Sequence, residues 1–273
     1  MNQPAPQDVL YAVDGPIARI TLNRPKYRNA QSWRLLDQLD EALDRAMEDP
    51  QIRVAVVDGA GGNFSSGHDL GTAEQVADQK QRGVPNEGLE FYDVFRKYNL
   101  DYTIKWRNLP KATIAMVEGY CIFGGWMIAA AMDLVFASTN ALFLPSQLEY
   151  FSVPWDIHPK KAKELLFEFR FADAQEAKEL GFANRVYEPE DLERETLAYA
   201  RRVAENTAVS VRLAKVATNR AQDLQGYSVG IDAAFADFMV TMNTRGPRPQ
   251  GQMRLGGVDL ALKGLKKERY GQK

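Results

Sequence analysis

Gly124 and Gly125 open a helix directly behind a turn at Glu118-Gly119, and of all stretches in the chain this one has the clearest capacity for chemistry. The first N–H groups of a helix have no intrahelical acceptor and carry the positive end of its macrodipole. With no side chain in the way, such a backbone suits an anion, or a carbonyl oxygen that becomes anionic during reaction. The same glycines equally permit close helix packing, because residues 128–132 (IAAAM) form a buried run. Nucleophiles and metal ligands are scarce: two histidines, His68 and His158, and one cysteine, Cys121. That inventory excludes an intrachain disulfide, a cysteine-rich metal site and a histidine zinc triad.

Familiar loops fail on inspection. GAGGNF at 59–64 misses the dinucleotide fingerprint, because Phe64 stands where the last glycine belongs. NFSSG lacks the first glycine of a nucleophile elbow, so Ser65 and Ser66 read as loop hydrogen-bonders. No phosphate loop, H-E-x-x-H or C-x-x-C occurs.

The elements that must position Gly124 read as alternating strands and helices. Residues 17–22, 52–57 and 112–117 are β-branched or apolar runs bounded by turn signals, and so are expected strands. Residues 134–137, 141–144 and 183–187 are shorter ones. Ser32 is an N-cap candidate for a helix to Asp49, and residues 89–108 predict another. Residues 72–88 are polar and read as a mobile surface excursion, and the connection from Gly119 to Gly124 reads as a short loop. AVVDG at 55–59 and AMVEG at 115–119 echo each other, each a buried strand, an acid and a glycine feeding a loop and a helix. Two parallel units of this kind would set two loop backbones side by side at one sheet edge.

Beyond residue 159 the pattern turns helical, over 160–169, 173–181, 192–206, 209–224 and 228–243. RGPRPQGQ at 245–252 breaks it, and a basic helix is expected from Val258. The fold class expected is α/β, with an α/β core over 1–188 and a helical region over 189–273. The chain has 273 residues and a formal net charge of -2, which gives no footprint for nucleic acid or an anionic membrane. No apolar run approaches the roughly 20 residues needed to span a bilayer, and the N-terminus shows no export signal. A metal-free cytoplasmic protein is expected.

RPKYRNA at 24–30, GGNFSSGHDL at 61–70 and PKATIAMVEGYCIFGGWMIAAAMDLVFAS at 110–138 together resemble the crotonase superfamily, the enoyl-CoA hydratase/isomerases. ADAQEAKELGFANRV at 172–186 is similar to a later family segment. The resemblance implies a crotonase-like repeated ββα core with a C-terminal helical trailer used for oligomerisation, a homotrimer or dimer of trimers. It also implies an acyl-CoA thioester substrate, with coenzyme A arriving as part of it and no permanently bound cofactor. By motif position, an oxyanion hole falls on the backbone N–H groups of His68 and Gly124, with Phe123 where the family's first glycine stands. Arg28 matches a position that meets the adenine or phosphate end of CoA. Ser66, Gly67, Asp69, Leu70 and Gly125 are expected around the substrate, with Met127, Gln147 and Trp155.

Two of those positions depart from the family. Its hydratases use a pair of glutamates, which map to Met127 and Gln147 here, and neither residue exchanges a proton at neutral pH. The resemblance therefore implies a fatty-acid-type lyase or isomerase fold with non-standard acid/base residues. The candidates are Asp156, Glu149, His158 and the side chain of His68. The competing reading is a non-catalytic acyl-CoA binder or hetero-oligomer subunit.

Overall fold

The computed structural model describes residues 7–84 and 87–244, together with Leu262. The main sheet has the order β1-β2-β3-β4-β6-β9, built from β1 (Val9–Asp14), β2 (Ile17–Leu22), β3 (Val54–Gly59), β4 (Ala112–Val117), β6 (Leu134–Ser138) and β9 (Arg185–Tyr187). A smaller sheet, β5-β7-β8, joins β5 (Tyr120–Ile122), β7 (Leu142–Leu144) and β8 (Ala172–Asp173). Only the β1–β2 edge of the main sheet is antiparallel, in a hairpin turned at Gly15-Pro16. The remaining pairs run parallel, and residues 54–58 of β3 are buried without a break, as a strand covered on both faces requires.

Alternation along these strands feeds two cores. Ala55, Val57, Ala115 and Val117 face α1 (Trp33–Glu48), whose Leu35, Leu36, Leu39 and Leu43 share that core. Val54, Val56, Ile114 and Met116 face the other way, toward Leu192 and Ala200 of α9 (Pro189–Ala204). The expected boundary at 188/189 assigns α9 to the helical trailer, yet its apolar stripe covers one face of the sheet. Ser32 caps α1 as expected, its Oγ accepting from Leu35 N at 3.1 Å.

Several elements differ from expectation. The sequence predicts a mobile surface excursion over 72–88, but α2 (Ala73–Gln81) lies there. Thr72 Oγ1 caps α2 by accepting from Gln75 N, and buried Gln75 Oε1 accepts from Trp33 N at 3.1 Å. The single helix expected over 89–108 is α3 (Gly88–Arg96) and α4 (Tyr102–Arg107) joined by a π turn, Lys97–Asp101. Phe91, Phe95, Leu100 and Ile104 from this segment build a third core with α11 (Tyr227–Thr244).

The rest of the chain comprises α5 (Gly124–Ala131), α6 (Val153–Asp156), α7 (Pro159–Glu168), α8 (Ala174–Glu179) and α10 (Ala208–Leu224). Lys215 on α10 is buried, and its Nζ donates to Asp133 Oδ2 at 3.0 Å, pinning the trailer to the strand end at Thr113. The break expected at 245–252 and the helix from Val258 lie outside the described residues, apart from Leu262, which is helical.

Gly119 turns the chain between β4 and β5, with φ +58° and the carbonyl of Gly62 and the side chain of Asn63 packed where a Cβ would stand. Gly119→Ala should therefore lower stability by about 2 kcal/mol or more, combining left-handed strain with a backbone clash. A drop in the urea midpoint at unchanged m-value is the measurement.

Candidate active site

The echo between 55–59 and 115–119 becomes direct pairing in three dimensions. β3 and β4 are neighbours in parallel register, Val57 opposite Ala115. The ladder continues beyond the sheet: Phe64 N donates to Glu118 O at 2.8 Å, Ser65 N to Tyr120 O at 2.8 Å and Ile122 N to Ser65 O at 3.0 Å. The connection expected as a loop thus contains β5, whose Cys121 bridges Ser65.

This pairing brings Gly67-His68 against Gly124. Gly67 has φ +90°, and a Cβ there would stand 2.8 Å from Ile122 O and 3.4 Å from Gly124 N. A Cβ on Gly124 would stand 3.1 Å from His68 Cε1 and would collide with Gln31 Oε1. Gly124 is the first residue of α5, so its N–H has no intrahelical acceptor. Among the described residues, neither the His68 nor the Gly124 N–H donates a hydrogen bond. Phe123, just before, is forced to φ +44°, a conformation costing a non-glycine residue of order 1 kcal/mol or more. Its N–H donates to Leu144 O at 2.9 Å and its carbonyl accepts from Met127 N at 3.0 Å, and these bonds hold the bend. Gly125 serves packing, since a Cβ there would meet Ser65 O at 2.7 Å.

A third segment, RPKYRNA, braces both loops. Asn29 Nδ2 donates to Ala60 O at 2.9 Å and Asn63 O at 2.7 Å. Gln31 straddles His68, its N–H donating to Gly67 O at 2.8 Å and its carbonyl accepting from Asp69 N at 3.0 Å. The Gln31 amide donates to Ser65 Oγ at 3.1 Å, while that hydroxyl donates to Asn29 O at 2.8 Å. Ser65 and Ser66 are loop hydrogen-bonders, Ser66 Oγ donating to Tyr27 O at 3.1 Å. Reading the motifs alone missed Gln31; the one signal available was its place directly after Asn29-Ala30.

Asp69 sits elsewhere than a substrate ligand would. Its side chain is fully buried, accepting from Arg24 Nη1 at 2.8 Å and from the N–H and hydroxyl of Thr72. Burial pushes its carboxyl up, but the Thr72 bonds and the Arg24 guanidinium outweigh it and leave the pKa below the usual carboxylate range. Leu70 is exposed on the same loop. Arg28 is exposed in a left-handed conformation, its guanidinium 5.6 Å from the Tyr120 ring centre.

The acid/base candidates separate by environment. His158 is exposed and caps α7, its Nδ1 accepting from Lys160 N at 3.3 Å, which is a helix-entry role. Asp156 Oδ2 accepts from Ser152 Oγ at 2.6 Å and from Trp126 Nε1 at 3.0 Å. Burial raises its pKa to about 6 despite those bonds and the Arg107 charge. Trp126 is itself buried and stacked on Phe182 at 3.6 Å. Glu149 instead reaches His68, Oε2 to Nε2 being 3.4 Å.

Met127, one turn past Gly124, is buried in the third core with Leu100, Tyr150, Tyr227, Ile231 and Phe235. Trp155 joins its rim, edge-on to Tyr227 at 5.1 Å. Tyr150 and Tyr227 share a short hydroxyl hydrogen bond, and Arg107 lies 4.0 Å over the Tyr227 ring. Gln147 is half-buried.

An α/β core whose sheet is covered on both faces, with paired glycine loops at one strand edge, defines a fold class shared with known proteins. Residues 13–244 match the family model for enoyl-CoA hydratase/isomerase. A Mycobacterium tuberculosis protein, EchA13, assigned by name as an enoyl-CoA hydratase, is 34% identical over 91% of this chain and 84% of its own length. The crystal structure of a probable enoyl-CoA hydratase from Mycobacterium smegmatis is 38% identical with a TM-score of 0.76, over 84% of this chain and 91% of that one. An enoyl-CoA hydratase/isomerase from Xanthobacter autotrophicus Py2 superposes with a TM-score of 0.77 at 28% identity, over 97% of this chain and 94% of its own. The chain belongs to the enoyl-CoA hydratase/isomerase family, within the crotonase superfamily.

The Asp156 environment makes a pH prediction. With its folded pKa raised to about 6, the native state keeps a proton that the unfolded chain has lost, so this group lowers stability as pH climbs from about 4 to about 6. Asp156→Asn retains an acceptor for Trp126 and Ser152 and removes the charge. The variant should gain of order 2 kcal/mol over wild type above pH 7 and nothing below pH 4. Urea unfolding of both proteins across that range measures the difference.

Proposed function

We propose that the protein acts on an acyl-CoA thioester whose carbonyl oxygen lies between the N–H groups of His68 and Gly124. The observation that carries this reading is the meeting of two unengaged N–H groups on adjacent, glycine-bent loops. A thioester oxygen gains negative charge as an enolate or tetrahedral species forms, and fixed donors then gain strength at the moment of reaction. Membership of the enoyl-CoA hydratase/isomerase family supports the CoA thioester as the substrate class. Arg28, exposed beside Tyr120 and close in sequence to the brace, is the cation we assign to the CoA end.

The reaction class is a lyase- or isomerase-type conversion at the acyl α and β carbons, as in fatty acid metabolism, but not by the two-glutamate route. Met127 is packed in an aromatic core and Gln147 carries no exchangeable charge. Subunit assembly into a trimer or dimer of trimers is supported by exposed apolar side chains along α10 and α11, among them Leu213, Leu224, Val229 and Val240. No described helix is long and apolar enough to cross a membrane, and a cytoplasmic site of action is the reading that goes with a CoA substrate.

Incubation with enoyl-, 3-oxoacyl- and aromatic acyl-CoAs, read by mass spectrometry, tests the assignment. At least one class should be converted, and Gly124→Ala, whose added Cβ collides with Gln31 Oε1 and pushes the N–H off its aim, should lower its turnover by about 10²–10³, the scale of a lost oxyanion donor. Tight binding without turnover across the panel would turn the reading toward a non-catalytic acyl-CoA binder. Turnover indifferent to Gly124→Ala would remove the oxyanion hole from it.

A further inference from the structure

The imidazole of His68 occupies a position that its backbone role does not require. Its Cε1 lies 3.1 Å from where a Cβ on Gly124 would stand, so the imidazole lies beside the Gly124 backbone, and Nδ1, unlike Nε2, is not among the enclosed, unpartnered atoms. Nε2 is buried, has no hydrogen-bond partner and points to Glu149 Oε2 at 3.4 Å. The side chains are 19% and 15% exposed, sheltered yet open on one side.

Glu149 reaches this position because of the local chain path. Residues 145–149 leave β7, Ser146 Oγ donates to Tyr150 O at 3.0 Å, and Tyr150 is anchored at Tyr227. That turn holds Glu149 on the His68 side of the strand.

We propose that His68 and Glu149 form the acid/base pair of this site, with Glu149 accepting the Nε2 proton of His68 and His68 Nδ1 exchanging a proton with the substrate α carbon. The inference rests on the acyl-CoA reading above. In the forward step the α C–H bond breaks and the proton passes to Nδ1, forming imidazolium. The C–H bonding pair becomes the Cα=C π bond while the carbonyl π pair moves onto oxygen, giving an enolate held by the His68 and Gly124 N–H groups. Reversal returns a proton from Nδ1 to the α carbon, so no oxidant, reductant or co-reactant is needed. Burial opposes the charged imidazolium, but the Glu149 carboxylate prevails and raises the pKa of His68. A carboxylate that steadies the imidazolium and fixes its tautomer is the arrangement a histidine base needs. One residue thus supplies an oxyanion donor from its backbone and a base from its ring, and the two separate cleanly by mutation.

His68→Ala and Glu149→Gln both keep the His68-position N–H. Phenylacetyl-CoA and butyryl-CoA in D2O are the probes: dissociation constants by calorimetry, α-proton exchange by NMR, folding by circular dichroism. Wild type should bind and exchange the α proton. Both variants should bind within about threefold of wild type and lose about a hundredfold or more in exchange rate, the scale of a general base. Glu149→Asp should recover part of what Glu149→Gln loses, which a structural defect would not mimic. Exchange unchanged in either variant, or binding by wild type without exchange, overturns the acid/base pair and leaves the acyl-CoA site intact. Failure of wild type to bind either thioester overturns the site itself. If His68→Ala does not fold, Glu149→Gln decides alone.

Discussion

Everything at this site depends on three backbone hydrogen bonds between residues 64–65 and 118–122, donated by Phe64, Ser65 and Ile122. They extend the β3–β4 ladder past the sheet edge, where each chain would otherwise wander as a separate loop. Two loops closed independently would place their N–H groups with the freedom of loops, and catalytic geometry is sensitive to shifts of about 1 Å. Zipped together, they share the rigidity of the sheet. Glycine is the accompanying requirement: Gly62, Gly67 and Gly119 take positive φ so that the strands bend toward each other without side chains between them.

The residues that make the resemblance legible serve mostly as bracing. Asn29, Gln31 and Ser65 spend their side chains on neighbouring backbone or on each other. Arg24 and Asp69 form a buried pair beside them, with Ala30 O and Thr72 taking further donors and acceptors. Such a pair is a weak source of net stability, because both charges lose water. It is strongly punished if one partner is removed, so it fixes the brace in one conformation. Polar motif residues near an active site are thus readily mistaken for ligands, as Asp69 shows.

Sequence reading went far where the signal was periodic and local. The strands expected at 17–22, 52–57 and 112–117, the second shifted to 54–59, the Ser32 cap and the side-by-side placement of the two echo loops are present. β1 was missed because it is an exposed edge strand, held by pairing with β2 rather than by burial of its own side chains. β5 was missed because three residues carry no periodicity, and their strand character comes from β7. α2 was missed because its anchor is a buried amide, Gln75, which hydropathy counts as polar. At the site, Gly67-His68 and Gly124 followed from motif position. The Gln31 brace and the approach of Glu149 to His68 depend on contacts 34 to 81 residues apart, which no local pattern encodes.

Met127, where the family resemblance expects a glutamate, bears on more than proton transfer. The side chain is 2% exposed and sits among Tyr150, Tyr227, Ile231 and Phe235, so α11 of the same chain closes over the end of α5. A carboxylate there would need a partner or water, and burying it alone would cost several kcal/mol. Methionine instead lets the aromatic wall close. Excluding water from one flank strengthens any donor aimed at an oxyanion, because the effective dielectric falls. It also removes the space in which a glutamate pair would hold an attacking water. The titratable side chain that does border the Gly124 backbone is His68, whose Cε1 lies 3.1 Å from a Cβ built there and whose Nε2 faces Glu149 Oε2 at 3.4 Å.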